Sequence, residues 1–181
     1  VALRILANLA LVALSCCSLC VLAQDPAELE IEKITIGAGD EIIIDVYNEK
    51  DLYVRAQVPK SGMLRIPLLG DVKVSGKTTA QLSEYLEQAY LDGYLVSPSV
   101  SVLIESFRPF YVSGAVKTAG SYKFELDLTV DQAIAVAGGL KDRASSSAWY
   151  VIRGDNKQRI KVNKESRIFP GDILEIEESL F

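Results

Sequence analysis

The 181 residues, less any targeting segment, make one large domain or two small ones. With 49% hydrophobic and 24% charged residues the chain has the balance of a folded globular protein, and a net charge of −5 with no basic run argues against nucleic acid as a partner. The absence of histidine excludes Ser-His-Asp and Cys-His nucleophiles and His-ligated metal sites.

The opening stretch, VALRILANLALVALSCCSLCVLAQ, carries one charge, Arg4, followed by an apolar run from Ile5 to Ala23. A positive start, an apolar middle and a small-residue exit at Val21 and Ala23 describe a secretory signal, so residues 1–23 are expected to be a signal peptide cleavable before Gln24. Two alternatives stand beside it. The run approaches the length of a membrane anchor, and ALSC resembles a bacterial lipobox, with Ala13 where Leu is usual, which would place a lipid on Cys16. Cleavage after Ala23 would remove Cys16, Cys17 and Cys20, leaving a mature chain without cysteine. Residues 24–32 read as a linker.

From ITIGAGDEIIIDVYNE the pattern turns to strands: Gly37 and Gly39 punctuate a turn before the β-branched run Ile42 to Val46. YVRAQVPKSGMLRIPLLG predicts a strand, a turn at Ser61-Gly62 and a second strand ending at Gly70. DVKV then alternates. Thr78 with Gln81 forms a capping box, and Leu82, Tyr85, Leu86, Ala89 and Tyr90 make one apolar helical stripe that Gly93 ends. SVSVLIES is a strand with Val100, Val102 and Ile104 on one face.

A second unit begins near Phe107. FYVSGAVKTAGSYKFEL reads as two strands, Thr129 and Gln132 repeat the capping box, and a short helix ends at Gly138-Gly139. AWYVIR and KQRIKV form a hairpin around Gly154-Asp155-Asn156, and IFPGDILEIEES closes the chain. GAGDEIIIDV and FPGDILEIEE echo each other, each placing Gly-Asp just before an alternating strand. The expected fold class is α+β, two small sheet-plus-helix domains at 33–106 and 107–181.

Gly70, Gly76, Lys77 and Thr78 nearly spell a phosphate-binding loop, but five residues rather than four separate the glycines, and Val72 and Val74 favour a strand. A glycosidase-type pair among Asp40, Glu41, Asp45, Glu175, Glu177 and Glu178 competes with a solvated strand face, which fits the alternation better. Trp149 and Tyr150 are candidate sugar contacts, although strand aromatics more often belong to a core.

With these elements in place, the chain resembles the polysaccharide biosynthesis and export family of periplasmic and outer-membrane proteins. IGAGDEIIIDVYNEKDL, VPKSGMLRIPLLGDVKVSGKTTAQLSEYLEQAY and SPSVSVLI are similar to its export domain. VSGAVKTAGSYKF, TVDQAIAVAGGL and FPGDILEI resemble a soluble-ligand-binding β-grasp domain. The turns carrying the likeness are Gly39, Asp40, Gly62, Pro67, Gly70, Gly76, Gly114, Gly120, Gly138, Gly139, Pro170, Gly171 and Asp172. Ser61 departs from the Asp usual before that glycine.

The resemblance implies a component of a capsular or exopolysaccharide conduit, periplasmic and associated with the outer membrane. It implies no catalytic residue, cofactor or metal. Its implied partners are the exported polysaccharide, an inner-membrane copolymerase, a separate outer-membrane channel and further copies of itself, with glycine-bearing turns allowing close approach between copies. Longer members add β-grasp units and a C-terminal amphipathic helix, so a ring or adaptor is expected rather than a self-sufficient pore. A free-standing exported carbohydrate-binding module and an exported hydrolase are the competing readings.

Overall fold

The computed structural model describes residues 34–154 and 156–179. The expected signal peptide, the linker, the cysteines and Asp155 lie outside the described residues.

Strand β1 (Glu41–Val46) is central in the first sheet, between β2 (Val54–Gln57) and β5 (Val100–Ser106), both antiparallel to it. Side chains alternate across a strand, so β1 buries Ile42, Ile44 and Val46, and β5 adds Val100 and Val102 to the same layer. A separate hairpin, β3 (Met63–Ile66) with β4 (Gly70–Lys73), contributes Leu64, Ile66 and Val72. Helix α1 (Thr79–Leu91) closes this core with Leu82, Leu86 and Tyr90. Its capping box is formed: Gln81 N donates to Thr78 Oγ1 at 3.2 Å and Thr78 N to Gln81 Oε1 at 3.1 Å.

Two expectations need correction here. The strand β3 ends at Ile66, not Gly70, because Pro67 sets up a turn in which Leu69 N donates to Ile66 O at 3.2 Å and Leu68 takes a φ of 65°. Tyr85 leaves the buried stripe and stays exposed, with the Lys77 ammonium 4.9 Å from its ring centroid.

Only residues 107–109 separate β5 from the second sheet. There β6 (Phe110–Gly114) pairs with β7 (Gly120–Tyr122), helix α2 (Val130–Val136) follows, β8 (Ala144–Arg153) pairs with β9 (Gln158–Lys161), and β10 (Ile173–Glu178) returns to the middle. The order β7-β6-β10-β8-β9 holds first and last strands parallel at the centre, flanked by two hairpins. With one helix packed on it, this is the β-grasp arrangement, and the fold class is α+β. Phe110, Val112, Ala133, Ile134, Val151, Leu174 and Ile176 build a second core that shares no residue with the first.

Among the described residues no helix is long and apolar enough to cross a membrane.

Candidate functional site

The two Gly-Asp echoes fold into the same object. In Gly37-Ala38-Gly39-Asp40, Asp40 N donates to Gly37 O at 3.2 Å; in Phe169-Pro170-Gly171-Asp172, Asp172 N donates to Phe169 O at 3.1 Å. The third position is glycine in both, with φ of 98° at Gly39 and 84° at Gly171, as a type II turn requires. Each carboxylate then reaches back over its own turn. Asp40 Oδ2 accepts from Gly37 N at 2.7 Å, and Asp172 Oδ2 accepts from Phe169 N at 2.8 Å.

Asp40 and Asp172 are the charged residues buried among those described, at 0% and 1% exposure. A buried charge is tolerated only when paired and hydrogen-bonded, and an arginine meets each. Arg108 donates from its backbone N to Asp40 Oδ1 at 2.6 Å and from Nη1 to Oδ2 at 2.7 Å. Arg153 grips Asp172 with Nε at 2.9 Å and Nη2 at 2.7 Å, while its guanidinium lies 4.3 Å from the Phe169 ring centroid.

Arg108 also joins the two turns. A Cβ on Gly37 would lie 2.3 Å from Arg108 Nη1, and one on Gly171 would lie 2.8 Å from Arg108 Nε. Glycine at both positions is what lets one guanidinium lie against a turn from each sheet. This close approach is intramolecular.

Between the turns opens a cleft of about 820 Å³. Among the described residues its walls carry Lys60, Lys73, Arg108 and Arg153 against a single carboxylate, Asp172. Of the motif turns, Gly62, Gly76, Pro170, Gly171 and Asp172 line it, and Gly39 and Asp40 lie in the turn whose Gly37 and Ala38 do so. The others are elsewhere: Pro67 and Gly70 at the β3–β4 turn, Gly114 at the end of β6, Gly120 at the start of β7, and Gly138 and Gly139 after α2.

The sheet-and-turn plan has counterparts among known proteins. Residues 30–105 match the family model described as polysaccharide biosynthesis/export protein, and residues 109–161 match the SLBB domain. Residues 30–105 thus carry the sequence pattern of the polysaccharide biosynthesis/export family. It is similar to the exopolysaccharide production protein ExoF of Rhizobium meliloti (strain 1021), 36% identical over 115 residues that span 61% of this chain and 27% of ExoF. It is also similar to the polysialic acid transport protein KpsD of Escherichia coli, 25% identical over 130 residues that span 71% of this chain and 23% of KpsD. The chain thus spans about a quarter of the length of these curated relatives. The SLBB match stops at 161, before β10, yet β10 is the central strand of that sheet.

Other sequence candidates fall outside the cleft or into structural tasks. Thr78 caps α1 and Lys77 sits over Tyr85, so the near phosphate loop is a strand, a turn and a helix. Glu41 pairs with Arg55, and Glu175 and Glu177 pair with Arg159 on exposed strand faces. Trp149 is placed in the core at 3% exposure, its Nε1 donating to Ser145 O at 2.7 Å, so it offers no sugar contact at the surface. Tyr150 stays partly exposed, with the Arg159 guanidinium 3.7 Å from its ring centroid.

The sequence pattern does not single out the cations of the cleft, Arg108, Arg153, Lys60 and Lys73. The repeated Gly-Asp was the available signal, since two carboxylates entering strands that bury one face each call for a cation.

Proposed function

We infer that this chain is a non-enzymatic component of an envelope apparatus that exports a capsular polysaccharide or exopolysaccharide, acting in the periplasm against the outer membrane. The tandem carries the reading: a polysaccharide biosynthesis/export region followed at once by an SLBB domain, with relatives named for exopolysaccharide production and for polysialic acid transport. Two separate cores joined through residues 107–109 support 33–106 and 107–181 as its domains. Both buried carboxylates are committed to turns and arginines, which is the work of a scaffold.

Several copies form a ring around the moving polymer, between an inner-membrane copolymerase and a separate outer-membrane channel. The test is deletion and complementation. Loss of the protein stops polymer from reaching the medium while polymer accumulates within the envelope, and the native mass of the restored protein is a multiple of the monomer. Normal secretion without the protein, or release of reducing ends from polysaccharide by the purified chain, overturns the reading.

A further inference from the structure

We propose that the cleft between the two Gly-Asp turns binds a short stretch of acidic glycan, with Lys60 and Lys73 supplying the recognising charge. The inference rests on the export reading and adds to it the class of polymer.

The charge distribution leads to it. The protein carries a net −5, yet among the described residues this concavity gathers four cations against one lining carboxylate. Asp40 and Asp172 neutralise Arg108 and Arg153. The excess is therefore Lys60 and Lys73, both exposed and neither within ion-pair reach of a carboxylate among the described residues. Like charges sharing a recess repel in the free protein, and low-dielectric walls focus their field on an anion entering it.

The arginines add fixed donors. Arg108 bonds through Nη1, and Arg153 through Nε and Nη2. Nε and Nη2 of Arg108 and Nη1 of Arg153 are left without a protein acceptor among the described residues. Because the buried carboxylates already hold these guanidinium groups in place, a sugar carboxylate or hydroxyl meets them at little ordering cost.

Size and wall chemistry complete the case. About 820 Å³ lies within the range of ligand pockets, roughly 300–1,000 Å³. Gly62, Gly76 and Gly171 put bare backbone on the walls, and the lining Phe169 is covered by Arg153 rather than offered as a stacking platform. Such a site binds through charge and hydrogen bonds without a deep apolar hold. That suits a polymer which must enter and leave.

The experiment titrates the full chain with oligogalacturonate, with malto-oligosaccharide of equal length as the neutral probe. Oligogalacturonate binds in a salt-sensitive manner, and Lys60→Gln with Lys73→Gln weakens it about tenfold, the loss expected for two exposed ion pairs. Lys60→Arg with Lys73→Arg keeps the affinity. The same charge removal at Lys50 and Lys117, outside the cleft, leaves it unchanged. The proposal is overturned by equal binding of the neutral probe, by equal loss in the Lys50/Lys117 control, or by full displacement with equimolar inorganic phosphate. It is also overturned if the cleft variant binds no less glycan but loses self-association, which would make the cleft a contact between copies. Secretion is scored separately. A chain that restores export without Lys60- and Lys73-dependent binding sinks this inference and leaves the export reading standing, while binding without restored export does the reverse.

Discussion

Asp40 holds Arg108 by both its backbone and its side chain, across 68 positions of sequence. One carboxylate in the turn before β1 thereby fixes the residue at which the chain passes from the first sheet to the second. Asp40→Ala leaves the N–H groups of Gly37 and Arg108 without acceptors, at about 1–3 kcal/mol each when buried. The Arg108 side chain is 25% exposed and turns to water, so the expected loss is about 3 kcal/mol, toward the lower end for a broken buried pair. Urea unfolding measures it, and a change below about 0.5 kcal/mol, the scatter of ordinary surface substitutions, would show that the carboxylate is dispensable.

The two arginines differ in grip, and that difference is measurable. Arg153 meets Asp172 through two nitrogens, Nε and Nη2, whereas the Arg108 side chain meets Asp40 through Nη1 while its backbone N holds the other oxygen. Lysine supplies a point charge but no planar fork. Arg153→Lys therefore costs about 1–2 kcal/mol and Arg108→Lys under about 1 kcal/mol, since neutral hydrogen bonds contribute near 1 and charge-assisted ones somewhat more. Thermal melts of both variants check the order, and the reverse order contradicts the geometry.

What the sequence made legible was mostly local. Both capping boxes formed at Thr78 and Thr129, since their partners are three residues away. The Gly-Asp echo proved to be a repeated turn for the same reason. The arginines answering those carboxylates lie 68 and 19 positions off, and neither belongs to a motif. Tertiary pairing of that kind leaves no periodic trace, so the cleft and its lysines stay hidden although several of its glycine turns are visible. Tyr85 shows the opposite failure, because it keeps helical spacing with Leu82 and Leu86 but stands just beyond the buried arc.

Tyr90 predicts an alkaline weakness. Its ring is fully buried under the β3–β4 turn, its hydroxyl donates to Pro67 O at 3.2 Å, and burial raises its pKa above the usual 10.0. A raised folded-state pKa means the native protein keeps a proton that the unfolded chain releases. The stabilisation is fully present below pH 10.0 and declines as pH rises from there through the folded value. Tyr90→Phe is expected to flatten the fall in unfolding free energy above pH 10.0 while losing about 1 kcal/mol at neutral pH for the hydrogen bond. Equally steep curves for the two proteins would assign the alkaline loss to other groups.

Two glycines with the same backbone and different surroundings separate strain from space. Gly114 and Gly139 have φ of 86° and 91°, where a side chain is disfavoured by about 1–2 kcal/mol. Among the described residues nothing lies within 4 Å of a Cβ added at Gly139, so Gly139→Ala carries the backbone strain alone. At Gly114 a Cβ would come 2.0 Å from Ile176 O, a backbone atom of β10. Ile176 and Gly114 face each other in the parallel β6–β10 pair, and Ile176 O also accepts from Ala115 N at 2.8 Å. The carbonyl cannot step aside without giving up that bond and shifting the strand that holds the second sheet together. Gly114→Ala is therefore expected to cost about 3–4 kcal/mol, conformational strain and overpacking combined. Chemical unfolding of both variants decides the matter. Near-equal losses would mean that β6 and β10 separate more easily there than their register implies, and a larger loss at Gly139 would mean that the end of α2, not the central parallel pair, limits the stability of the second unit.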